Sequence, residues 1–137
     1  MYSQKAIELN KNPENLGQMR DSDGEETVED SQSGTTYTVY LKVEFGVITK
    51  INFWVSAASV EMAGCSMATI LAKGKHLSDA LKITEQDVID ALECSPESDQ
   101  QKSINLILST LRKAIDNYLM RRGIYHIQFQ KLEASNS

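Results

Sequence analysis

Residues 35–55 read TTYTVYLKVEFGVITKINFWV, and the period of this stretch decides the fold. Tyr37, Val39, Leu41 and Val43 alternate with Thr36, Thr38, Tyr40 and Lys42, the two-residue repeat of a half-buried strand. Glu44-Phe45-Gly46 breaks the repeat as a turn. Beyond it, Val47, Ile51, Phe53 and Val55 fall on one face, with Lys50 and Asn52 on the other. Two strands with so short a connection predict an antiparallel hairpin.

Towards the C-terminus the period lengthens. After Ser59, the residues Met62, Ala63, Met67, Ile70 and Leu71 recur at helical spacing. Gly74 is placed to follow the helix end, where Lys73 and Lys75 suit its negative pole. Ser78 opens a short turn through Leu81. Thr84-Glu85-Gln86-Asp87 reads as a capping box before Val88, Ile89 and Leu92. The loop Glu93–Gln101 follows. Ile104, Ile107, Leu108, Leu111, Ile115, Tyr118 and Leu119 then draw the apolar stripe of a long helix, closed by Gly123. The tail from Ile124 predicts a last strand to Phe129 and a polar extension to Ser137.

Towards the N-terminus, Ala6, Ile7 and Leu9 mark a short amphipathic helix, ended by Asn12-Pro13 and the turn at Gly17. Residues 18–34 are polar and acidic, read as a mobile segment with at most an edge strand around Glu26–Glu29. The order helix, acidic segment, hairpin, helices predicts an α+β fold: a small antiparallel sheet of about three strands, covered on one face by helices. At 137 residues the chain is expected to be one domain, 1–137, long enough for a hydrophobic core.

Charge is unevenly spread. Residues 21–30, DSDGEETVED, hold six of the nineteen acids, leaving thirteen acids against fourteen bases elsewhere. An acidic run on a near-neutral body argues against nucleic-acid binding, which needs a basic face. The run reads as a solvated loop, with a docking site for a basic partner as the sharper alternative. No apolar run approaches the ~20 residues of a membrane span, and the N-terminal residues lack the apolar core of a signal peptide. Two cysteines, Cys65 and Cys94, make neither a disulfide framework nor a zinc site alone. Reduced thiols and a cytoplasmic location are the expectation.

Several blocks resemble a known family. YSQKAIEL and NPENLG (2–9 and 12–17), SGTTYTVYLKV (33–43), the turn EFG, ITKINFWV (48–55), SMATILAKGKHLSDAL (66–81) and SINLILSTLRKAIDNYL (103–119) together resemble the iron–sulfur cluster assembly scaffolds. These are the IscU type and the N-terminal domain of NifU. The resemblance implies a SufE/NifU-like fold and a role in cluster assembly. It also implies iron or a [2Fe–2S] cluster as cargo, with a cysteine desulfurase and an Hsp70-type chaperone as partners.

The family's ligand positions are where this chain departs. Its Cys-Gly-Asp turn corresponds to Ser33-Gly34-Thr35, its Gly-Cys pair to Ala57-Ala58, and its His-Cys pair to Lys102-Ser103. All three thiolates are missing. Soft thiolates suit iron and sulfide, whereas serine hydroxyls are hard and neutral and Ala58 has no donor. An ammonium at Lys102 repels iron. The Leu-Pro-Pro-Val-Lys stretch that the chaperone reads is reduced here to Pro96.

Neither surviving cysteine replaces a lost ligand by position. Cys65 lies seven residues after Ala58, about two helical turns away, and reads as a buried structural thiol. Cys94, beside the loop, is the better candidate for relocated ligation or sulfur acceptance. His76 and His126 form no metal pair by spacing. Trp54 and Tyr40 lie opposite the core stripe, either as an exposed patch or covered by a helix or the tail. No catalytic motif is present, and an enzyme is not expected.

Three functions remain open on the sequence. The first is a diverged scaffold-like protein that docks to the sulfur donor or to a regular scaffold without ligating a cluster. The second carries metal or persulfide on Cys94 or Cys65. The third reuses the fold as an unrelated interaction module, with the acidic run as its contact.

Overall fold

A computed structural model describes residues 3–57, 60, 62–95 and 98–123. The elements in chain order are α1 (Gln4–Lys11), β1 (Gly24–Glu29), β2 (Thr36–Glu44), β3 (Val47–Val55), α2 (Ala63–Ala72), α3 (Leu77–Ala80), α4 (Glu85–Leu92) and α5 (Ser98–Arg121). The strands form one antiparallel sheet in the order β1-β2-β3. On its inner face α5 lies over β1 and β2 and α2 packs on β3, while α1 and α4 pack against α2. The α+β architecture expected from the sequence is therefore the one observed. Among the described residues no helix is long and apolar enough to cross a membrane. The expected strand Ile124–Phe129, with His126, lies outside the described residues.

The hairpin forms where the two-residue period placed it, with one correction. Tyr37, Val39, Leu41 and Val43 are buried, as are Ile51, Phe53 and Val55. On β3, however, Ile48 is the buried residue and Val47 is only partly covered. Lys42 pairs with Lys50 and Val43 with Ile48, so Thr49 is the extra residue of a β-bulge. A bulge shifts alternation by one position, moving the inward side chain from Val47 to Ile48. Strict alternation in the sequence gave no sign of it.

The edge strand β1 is longer than expected. Gly24 and Glu25 join it, pairing with Leu41 and Tyr40, so the middle of the acidic segment is built into the sheet. Gly24 is the reason α5 can lie so close to β1. A Cβ there would stand 2.6 Å from the Tyr118 Cβ and 2.8 Å from the Ala114 carbonyl oxygen, nearer than any methyl group can come.

The helices end where local chemistry dictates. Ser3 caps α1, accepting from the Ala6 N–H at 3.1 Å, and its hydroxyl donates to the Leu92 carbonyl of α4. Thr84 and Asp87 form both bonds of a capping box, satisfying donors that a bare helix start leaves orphaned. Asn10 Oδ1 accepts from the Ala63 N–H at 2.8 Å, tying α1 to the start of α2. The apolar stripe of α5 is buried at Ile104, Ile107, Leu108, Leu111, Ile115 and Tyr118, each contributing on the order of 1.5–3 kcal/mol by leaving water.

Candidate functional site

The turn between β1 and β2 meets the first turns of α5, and there the sequence-predicted positions converge. Asp30 N–H donates to the Thr35 carbonyl and Gly34 N–H to the Asp30 carbonyl, both at 2.8 Å, closing the turn. Ser33 Oγ donates to Asp30 Oδ2 at 2.8 Å and lies 3.0 Å from Thr35 Oγ1. The Gln32 N–H donates to Asp30 Oδ1 at 3.1 Å. From α5, the Lys102 ammonium stands 3.1 Å from Asp30 Oδ2 and donates to Gln32 Oε1 at 2.6 Å. One residue on, Ser103 Oγ is 3.3 Å from the Tyr37 hydroxyl.

Asp30 is the centre of this network. Its side chain is only 10% exposed, against 41% for Lys102. The Gln32 N–H, the Ser33 hydroxyl and the Lys102 ammonium hold its carboxyl below the usual carboxylate range, so it is charged at neutral pH. Tyr37 is buried, and burial pushes its phenol above the ordinary value. Sequence reasoning missed Asp30, Gln32 and Tyr37. Asp30 was hidden as the last member of an acidic run, and only the turn shows that it faces Lys102.

Of the expected ligand positions, Ser33, Thr35, Lys102 and Ser103 are brought to this one region. Ala58 and Pro96 lie outside the described residues. The donor set offers hydroxyls and one carboxylate already neutralised by an ammonium, and no thiolate. Among the described residues no group of three or more His, Cys, Asp or Glu side chains is arranged to hold a metal ion.

Neither cysteine belongs to the turn itself. Cys65 is fully buried on α2, where its sequence context placed a structural thiol, within electrostatic reach of the Tyr37 phenol, and burial pushes its thiol up to about 12. Cys94 is half-buried at an open cleft of about 600 Å³ lined by Ser3, Gln86, Ile89, Asp90, Glu93 and Ser95. That cleft contains none of the turn or α5 positions. With a neutral thiol reagent at pH 8, Cys94 is expected to react in the native protein and Cys65 only after unfolding. At a pKa near 12 a thiol is ionised to roughly one part in ten thousand at that pH. Counting modified thiols by mass spectrometry checks this.

The acidic run is only partly free. Asp30 is held as described, the Asp23 carboxylate accepts from the Val43 N–H at 2.9 Å, and Glu25 accepts from the Ser22 hydroxyl at 2.5 Å. His76 is exposed and caps α3, its ring nitrogen accepting from the Ser78 N–H. Tyr40 is buried although it faces away from the main core, whereas Trp54 stays 41% exposed.

A three-stranded antiparallel sheet backed by α2 and α5, with the β1–β2 turn meeting the first turns of α5, defines the α+β class of this domain. Residues 1–124 match the NifU-like N terminal domain family, and the chain belongs to that family. It is 39% identical over 123 residues to the iron-sulfur cluster assembly scaffold protein IscU 1 of Archaeoglobus fulgidus, covering 90% of this chain and 80% of that one. It is 31% identical over 124 residues to the IscU scaffold protein of Aquifex aeolicus, covering 89% and 78%. Among solved structures, a NifU-like N-terminal protein from Brucella abortus aligns with a TM-score of 0.63 at 22% identity, over 85% of this chain and 92% of that one. A putative SUF-system scaffold from Fervidobacterium islandicum aligns with a TM-score of 0.66 at 17% identity, over 83% and 96%. These two share the fold.

Proposed function

We infer that this chain works in iron–sulfur cluster assembly as a diverged, non-enzymatic scaffold-like protein that docks to its partners and does not ligate a cluster. Membership of the family and the names of the IscU relatives support the process. The observation that carries the finer reading is the Lys102 ammonium bridging Asp30 and Gln32 beside Ser33 and Ser103. A cation fixed there, among hydroxyls, favours an anionic carboxylate and opposes a cationic metal. The partners consistent with this role are a cysteine desulfurase or a scaffold that retains its cysteines.

The test is anaerobic reconstitution of the wild-type chain with iron, sulfide and a cysteine desulfurase. The expected product is colourless, with iron and acid-labile sulfide well below one per chain after desalting. A stoichiometric visible chromophore would overturn the reading. The chain is also expected to form a complex with the desulfurase or with a cysteine-bearing scaffold in analytical ultracentrifugation.

A further inference from the structure

The hairpin tip carries two local costs that nothing else in the described chain offsets. Its loop is Phe45-Gly46, with φ of 53° and 77°, the left-handed pair that a type I′ turn requires. Asparagine or aspartate is the usual first residue of such a turn. Phenylalanine pays for its Cβ in that conformation, yet its ring makes no compensating contact, being 101% exposed. Just behind it, Lys42 and Lys50 are direct cross-strand partners, an arrangement in which like charges repel.

More positive charge is fixed to the same end. Residues 74–77 run alongside the tip: Gly74 N–H donates to the Ile48 carbonyl at 2.7 Å, Ile48 N–H to Lys75 at 2.9 Å, and Leu77 N–H to Gly46 at 2.9 Å. Lys73 and Lys75, on this segment, are exposed. Among the described residues none of these four lysines is within ion-pair distance of a carboxylate. Asp23, Glu44 and Asp79 are the acids on the adjoining segments. The Asp23 carboxylate is occupied by the Val43 N–H, and Glu44 stands beside Phe45 at the tip.

We propose that Phe45 and the lysines around it form a docking knob for an acidic protein segment that carries apolar side chains between its carboxylates. The ring supplies a desolvated anchor and the lysines meet a carboxylate rim, the anatomy of a small energetic hot spot. Glu44 and the net charge of −5 oppose any anionic partner alike; a protein segment is favoured over a phosphate-bearing surface because it brings apolar side chains to Phe45 together with its carboxylates. A second copy fits less well too, since Asp23, Glu25 and Asp30 of the acidic run are engaged within the chain. The inference names a surface for the docking proposed above and rests on that reading. Cluster content and tip binding are measured separately, so either can fail alone.

The test uses a fluorescent peptide of alternating Glu and Leu with the full-length chain, followed by NMR shift mapping and anisotropy. Expected are shifts confined to residues 42–50 and 73–77, and binding weakened about tenfold or more by Phe45→Asn and by Lys42→Glu with Lys50→Glu. The Phe45→Asn chain should melt a few degrees higher than the parent, because asparagine tolerates the left-handed turn. That result separates lost docking from lost folding. No binding at millimolar peptide, binding indifferent to Phe45→Asn, or shifts elsewhere would overturn the proposal. Equal or tighter binding of phosphatidylglycerol vesicles or a single-stranded oligonucleotide, or self-association abolished by Phe45→Asn, would overturn the choice of partner.

Discussion

A variant carrying Ser33→Cys, Ala58→Cys and Ser103→Cys, with Thr35→Asp and Lys102→His, is expected to take up an iron–sulfur chromophore where the parent stays colourless. The change runs from none to on the order of one [2Fe–2S] unit per chain. The framework argues for this outcome. The turn is closed by backbone bonds from Asp30 and Gly34, which do not depend on the side chains being exchanged. Ser33 is exposed, whereas Ser103 is buried beside the Tyr37 hydroxyl; at each position the exchange replaces one oxygen by one sulfur. Ala58 is included on the sequence match alone. Removing Lys102 takes away the fixed cation, and Asp30 keeps the Gln32 N–H as a partner. Lys102→Ala alone should remain colourless, because no thiolate has been supplied. Ultraviolet–visible absorption and iron and sulfide content after anaerobic desalting read the result. A colourless quintuple variant that is still folded by circular dichroism would show that the lost ligands are not what separates this chain from cluster binding.

Phe53→Ala is expected to cost about 3–5 kcal/mol, a large share of the 5–15 kcal/mol that holds a typical domain together. Phe53 has no exposed surface and is among the largest fully buried side chains. It lies towards the C-terminal end of β3, and its backbone also serves the segment before β1. Its N–H donates to the Asn15 carbonyl at 2.8 Å, and its carbonyl accepts from the Gly17 N–H at 2.9 Å. A cavity there loosens the sheet, α2 and residues 15–17 together. Trp54→Ala, one residue along, removes a larger side chain that is 41% exposed and should cost roughly 1 kcal/mol or less. Urea denaturation of both variants gives the comparison. Similar costs would mean that the inner and outer faces of β3 are not distinguished as described.

Much of the fold was legible from residue spacing. The alternation from Tyr37 to Val43 put the right side chains in the core, and the α5 stripe predicted its buried face almost residue for residue. Thr84 and Asp87 announced the start of α4 because a capping box is a local device. The failures came where the deciding interaction is not local. The bulge at Thr49 is invisible to a two-residue period. Gly24 and Glu25 have weak strand propensity and join β1 because β2 offers them a ladder and α5 needs a glycine to cross.

The candidate site divides along the same line. The order and spacing of side chains were enough to predict an α+β domain of the scaffold family, because residue type and period are local properties. Only the tertiary structure decided that Asp30 belongs with Lys102, that Tyr37 reaches Ser103, and that the Phe45 ring is left fully exposed. Burial and pairing between residues 72 positions apart depend on how the sheet and α5 close over each other. No local pattern encodes that closure.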